Sequence, residues 1–185
     1  MLALCALALV VAAAGLAASP AAAKDVAVTR IRVDATVKPN GDLRVTDTRT
    51  LRFSGGFHYV YWDLATKGSE GIKVLGASGP AAGDPGRNVP YERSGDPTVH
   101  SWNGEVGTYA SVEESGVVTV QLNFDVADTT ASFTVEYVAK AAAKRWSDTA
   151  ELYWQFIGAE TEMDSGDVSV TVHLPRGVTR DQESI

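Results

Sequence analysis

From residue 24 onward the chain is written in twos. Ile31, Val33, Ala35 and Val37 alternate with polar residues, the period that marks a strand with one face buried. Val26 and Val28 sit on the opposite parity, so a bulge or a change of face is expected near Thr29-Arg30. Pro39-Asn40-Gly41-Asp42 then predicts a hairpin, because Asn-Gly accepts the positive φ of a tight turn. The returning strand places Leu43, Val45, Leu51 and Phe53 on one face, with Arg44, Thr46, Thr48, Thr50 and Arg52 on the other. Asp47 and Arg49 share the apolar parity. Either they form an inward-pointing pair, or the strand twists outward at its middle.

Ser54-Gly55-Gly56 breaks that strand, and Phe57 to Trp62 forms a dense aromatic run of high strand propensity. Ile72-Lys73-Val74-Leu75 predicts a short strand. Gly76 to Gly107 is rich in Gly, Pro, Asp and Asn and reads as long loop, with brief strands around Val89–Tyr91 and Val99–Trp102. Strand signals return at Val117–Phe124, Ser132–Val138, Leu152–Phe156 and Val168–Leu174. Only Ala139–Trp146 has helical composition; it is too short to be stable alone and fits a loop equally well. About eight strands without a repeating αβ unit predict an all-β fold, an antiparallel β-sandwich.

The first 23 residues break the pattern. They carry no charge, run apolar from Leu2 to Val11, and end small at Ser19-Pro20-Ala21-Ala22-Ala23 before Lys24-Asp25. That is the order of a secretory signal peptide cut after Ala23, although the n-region lacks a basic residue. The expected organisation is therefore a signal over residues 1–23 and one exported domain over residues 24–185. Removing the leader removes Cys5, the only cysteine. No disulfide framework is left, which suits a bacterial cell envelope.

The net charge is −7, and the acidity lies behind residue 64. An acidic chain without a basic stripe argues against nucleic acid as a partner. No nucleophile elbow, phosphate loop or dinucleotide fingerprint occurs. His58, His100 and His173 lie far apart in sequence, with no two at metal-ligand spacing. Glu113 and Glu114 are adjacent, and neighbours on a strand face opposite ways. Enzymatic activity and a cofactor are therefore not expected.

Two candidate sites remain. Glu160, Glu162, Asp164 and Asp167 offer oxygen ligands at a spacing that suits Ca²⁺, yet the glycine is misplaced for an EF-hand and no closing Glu follows. Tyr59, Tyr61, Trp62 and Trp102 head a set of aromatics that also includes Trp146, Tyr153 and Trp154. Exposed, such rings stack on sugars; buried, they fill a core.

Phe133, Val135, Tyr137 and Val138 are followed by Ala141-Ala142, then Glu151-Leu152-Tyr153-Trp154, Ile157-Gly158, and Val168-Ser169-Val170-Thr171-Val172-His173-Leu174-Pro175. Ahead of them come an export signal, Asn40-Gly41-Asp42-Leu43 with Val45 and Asp47, and the Phe57 to Leu64 run. This order resembles the DUF2207 family of predicted bacterial membrane proteins. Tyr61-Trp62-Asp63-Leu64 lacks the Arg and the Pro that the family often shows there. The resemblance implies an extracytoplasmic β-domain followed by transmembrane helices. It makes residues 24–185 a domain expected to be incomplete at its C-terminal end, associated with the membrane through later spans. Two classes of function stay open: a non-enzymatic module that binds an envelope protein or a wall component, and a glycan-binding or hydrolytic domain that uses exposed aromatics.

Overall fold

The computed structural model describes residues 24–158 and 166–177; the leader and three of the four metal candidates, Glu160, Glu162 and Asp164, lie outside them. Twelve strands follow in order: β1 (Asp25–Val37), β2 (Leu43–Ser54), β3 (Gly56–Ala65), β4 (Ile72–Ala81), β5 (Asp84–Pro90), β6 (Glu92–Arg93), β7 (Thr108–Glu114), β8 (Val117–Ala127), β9 (Thr130–Ala139), β10 (Ala143–Arg145), β11 (Ala150–Leu152) and β12 (Asp167–His173). They build a six-stranded sheet in the order β12-β1-β2-β9-β4-β5 and a four-stranded sheet in the order β3-β8-β7-β6; β10 and β11 form a small hairpin. The fold is all-β. Two pairs depart from the antiparallel expectation: β1 with β12 and β6 with β7 run parallel.

The two larger sheets face each other across one core. Period-two alternation carries Ile31, Val33, Ala35, Leu43, Val45, Phe53, Phe133 and Val135 inward from the six-stranded sheet, and Trp62, Leu64, Val120, Leu122 and Phe124 inward from the other. Phe53, Phe124 and Phe133 meet at ring-centroid distances of 4.7–6.1 Å in tilted or edge-on contact. Each such buried aromatic contributes about 1.5–3 kcal/mol of transfer free energy. The outer face of the large sheet is polar and cross-linked: Thr48 with Thr134 and Thr50 with Ser132 at 2.9 Å, and Arg44 diagonally to Glu136 at 3.0 Å.

The parity change near Thr29 is a register shift between Val28 and Arg30. The first hairpin is closed by Lys38 N donating to Asp42 O at 2.8 Å and Gly41 N to Lys38 O at 2.9 Å. Only Gly41 takes a positive φ, +87°, so the loop is a type I turn ending in a left-handed glycine rather than a two-residue Asn-Gly turn.

Further expectations are corrected. Val99–Trp102 forms no strand, and the strand expected over Leu152–Phe156 is the short β11, which ends at Leu152. Gly76 to Ala81 is not loop but the second half of β4, paired with β9 and then with β5. Glycine and proline hid it. Gly79 is required there, because a Cβ would sit 2.7 Å from the Tyr91 hydroxyl oxygen and 2.9 Å from Phe133. Ala139–Trp146 holds no helix: β9 ends at Ala139, Ala141 has φ +48°, and β10 follows. Tertiary bonds decide this. Ala141 N donates to the Asp42 carboxylate at 3.0 Å and Ala143 N to Gly41 O at 2.9 Å, which is more than a single unsupported helical turn offers.

Candidate functional site

Inside the sandwich, Asp47 is 1 % exposed. Arg49 reaches its carboxylate from Nη2 at 2.8 Å and from Nε at 3.2 Å, and Trp62 Nε1 donates to Oδ2 at 3.1 Å. The guanidinium lies 5.0 Å from the Trp62 ring centroid, a cation–π distance. Two strand positions of shared parity therefore make the inward-pointing pair, and Trp62 is a core residue that partners it. Nearby Tyr137 accepts a bond from Trp154 Nε1 at 3.3 Å. Burial pushes its phenol up to about 12; the Trp154 bond opposes this and the Asp47 charge adds to it. All of these groups are satisfied and turned inward, an arrangement that holds the sheets in register.

The opposite face of β3 is different. Tyr59, Tyr61 and Asp63 point away from the core, and the register shift between Phe57 and Tyr59 brings His58 to the surface as well. The segment from Ser94 to Gly107 folds back over this face. Its own bonds hold it there: Ser94 N to Tyr109 O at 2.8 Å, Asn103 Oδ1 accepting from Glu105 N at 3.0 Å, and Asp96 accepting from the Thr98 hydroxyl at 2.6 Å and its backbone N at 2.9 Å. Those Thr98 bonds, the hydroxyl one foremost, keep the Asp96 carboxyl below its ordinary range.

The result is a surface cluster. Trp102 stacks on His58 at 5.1 Å, the His100 ring meets Tyr61 edge-on at 4.5 Å, and Tyr59 Oη donates to His100 O at 3.3 Å. His58 Nδ1 lies 3.2 Å from Asp125. Beside it runs an open groove of about 250 Å³, lined by residues that include Asp63, His100, Glu114 and Thr119 and by no lysine or arginine. Beneath, Gln121 is fully buried; its Nε2 donates to Ser101 O at 2.7 Å and to Asn123 Oδ1 at 2.8 Å. Those two acceptors fix the amide's orientation. Gln121 Oε1 is left buried without a hydrogen-bond partner among the described residues.

Of the four aromatic candidates, Tyr59, Tyr61 and Trp102 come together here, and Trp62 lies on the other side of the sheet. His58, His100 and Gln121 join them without having been singled out as ligand-contacting residues. Forty-odd residues separate the two histidines, so spacing carried no signal. Of the metal candidates, Asp167 is described, and it is paired with Arg32 and, at 3.6 Å, with Arg30. Among the described residues no three His, Cys, Asp or Glu side chains gather as a metal site.

A family model described as the N-terminal domain of a predicted membrane protein, DUF2207, matches residues 27–184. The chain belongs to this family. The DUF2207 match spans both sheets, the covering segment and the surface cluster. No curated protein matches the sequence. Among solved structures, a two-domain M1 zinc metallopeptidase mutant bound to L-arginine aligns at 15% identity and TM-score 0.42, over 80% of this chain and 32% of that one. The M1 zinc metallopeptidase of Deinococcus radiodurans aligns at 16% identity and TM-score 0.36, over 62% and 20%. This chain thus spans a third or less of those proteins' length. With TM-scores below 0.5, the likenesses bear on neither fold nor function. Among the described residues of this DUF2207 domain, no helix is long and apolar enough to cross a membrane.

Proposed function

We propose that this DUF2207 domain is the non-enzymatic, extracytoplasmic recognition module of a membrane-anchored envelope protein. Its ligand is a neutral, hydroxyl-rich glycan of the cell wall, held on the face built by His58, Tyr59, Tyr61, His100 and Trp102. The observation that carries the reading is the convergence of these rings on the outer face of β3, beside an open groove. Aromatic rings present an apolar body beside polar tips, which matches a sugar's C–H face and its hydroxyl rim. Asp63, Asp125 and Glu114 supply further acceptors around the rim. The lack of lysine or arginine along the groove disfavours an anionic ligand. The groove is shallow and open to solvent, a poor enclosure for acid–base chemistry and a suitable track for an extended chain. The charge-free run from Leu2 to Ala23 supports export, and the family description supports a membrane protein.

The test uses chain recovered from the envelope of expressing cells, with its N-terminus sequenced, and titrated with purified wall sacculi and with soluble N-acetylglucosamine oligomers. A start at Lys24 and binding that Tyr61→Ala and Trp102→Ala each weaken by about tenfold, near 1.4 kcal/mol, are expected. Trp146→Ala, a change at an exposed ring outside the cluster, should bind as the parent does. Absence of binding to either probe, or equal weakening by all three variants, refutes the glycan reading.

A further inference from the structure

The six-stranded sheet ends in two unlike edges. β5 is blunted: it carries Pro85 and Pro90, and the register shifts where it leaves β4. Proline and bulges are the usual protection of an edge strand. β12 has neither. It pairs with β1 over seven consecutive residues without a register shift, and among the described residues no strand lies on its other side. Val168, Val170 and Val172 pair with Ile31, Val33 and Ala35, so they continue the core face of the sheet. Among the described residues they are nevertheless 42%, 42% and 36% exposed.

The strand reads Asp-Val-Ser-Val-Thr-Val-His, a chemical palindrome about Val170. We propose that β12 is a homodimer edge, pairing antiparallel with β12 of a second copy about a two-fold axis at Val170. In that register Val170 faces itself, Val168 faces Val172, Ser169 faces Thr171, and Asp167 faces His173. An antiparallel pair keeps opposed residues on one side of the sheet, so the valines of both copies form one apolar band. The charges agree one strand further out. Arg32 neighbours Ser169 and Asp34 neighbours Thr171, so each of the two Ser169–Thr171 rows runs from an arginine on one copy to an aspartate on the other. No like charges stand opposite each other, and opposite-charge rows favour pairing. His173 already lies 2.8 Å from Asp34, which holds its ring on this polar face, and Asp167 is held there by Arg30 and Arg32. The outcome is a twelve-stranded sheet continuous through both copies, with the two glycan faces free.

The experiment uses the exported protein of the preceding test, expressed with Cys5→Ser so that no native thiol is present with or without the leader. Sedimentation should show a dimer. Oxidation should link Val170→Cys to its own copy, because the opposed Cβ atoms lie about 5 Å apart. Val168→Cys should stay unlinked, because the two copies of residue 168 are offset by four residues, about 13 Å. Val170→Lys sets like charges face to face and should raise the dissociation constant at least tenfold while the circular dichroism spectrum stays that of the parent. A monomer at ~100 µM (above the micromolar range in which specific interfaces form), a dimer that survives Val170→Lys, or equal linking at 168 and 170 would overturn the proposal.

Discussion

At the scale of single residues, Asp47 shows what a polar residue on an apolar parity means. Arg49 and Trp62 both donate to its Oδ2, and the cation that neutralises it rests on the ring that supplies one of those bonds. Such an assembly is weak evidence of stability as a whole, because taking both charges out of water offsets most of their attraction. Breaking one half is another matter. Asp47→Ala leaves the Arg49 guanidinium uncompensated and the Trp62 N–H without its acceptor, and it should cost about 3–5 kcal/mol in urea unfolding. Asp47→Leu combined with Arg49→Met should cost clearly less than Asp47→Ala alone. A double variant as unstable as the single one would mean that the pair's worth lies in the charges themselves rather than in their mutual satisfaction.

Among the elements, the first hairpin does more than join β1 to β2. Its Asp42 carboxylate and Gly41 carbonyl take the backbone N–H groups of Ala141 and Ala143, and so anchor the start of β10. The Ala141 backbone bond, followed by the Asn40 side-chain bond, holds the Asp42 carboxyl below its ordinary range. Gly41 is fixed twice over, by φ +87° and by the Ala143 oxygen 2.6 Å from where a Cβ would stand. The left-handed conformation alone costs an alanine about 1–2 kcal/mol, so Gly41→Ala should lower stability by ~2 kcal/mol or more. The urea midpoint should fall with an unchanged m-value. Because the obstructing atom is backbone, relief requires β10 to move, and amide exchange of Ala143 and Lys144 should quicken with it. Unaltered exchange there would show that the hairpin and β10 are not coupled.

For the whole molecule, the sandwich carries a built-in alkaline limit. Tyr137 lies between the sheets with its phenol at about 12, and burial also raises the Tyr91 phenol well above its usual range. Both tyrosines favour the neutral form in the folded state. Their contribution is fully present below about pH 10, where the unfolded chain's tyrosines are still protonated, and is lost as pH rises toward the folded values. Stability should therefore fall by about 1.4 kcal/mol per pH unit for each tyrosine above pH 10. Tyr137→Phe should remove its share of that slope. Thermal melts between pH 8 and 11.5 measure it, and a slope the same in both proteins would show that Tyr137 ionises without unfolding.

Strand parity carried most of the large sheet. β1 after its bulge, β2 and β9 alternate against a shared core, and that is a local property of each segment, visible residue by residue. The bulge at Thr29 follows from the same parity, whereas for Asp47 and Arg49 parity left an inward pair and an outward twist open, and the bonds to Trp62 and between the two charges made them the pair. Family membership was legible too, in the order of weak motifs from Asn40-Gly41 to Leu174-Pro175. What alternation cannot convey is contact between segments distant in sequence. Gly76 to Ala81 became a strand because Tyr91 and Phe133 pack where a side chain would have been. Ala139–Trp146 gave up any helical turn because Asp42 and Gly41 capture its backbone. His58 met Trp102 and Tyr61 met His100 because a loop folded over the back of β3, and among the described residues no strand and no second sheet covers β12. Period and propensity act over a few residues; coverage, closure and the meeting of side chains depend on how the sheets lie on one another, and only the tertiary structure decided that.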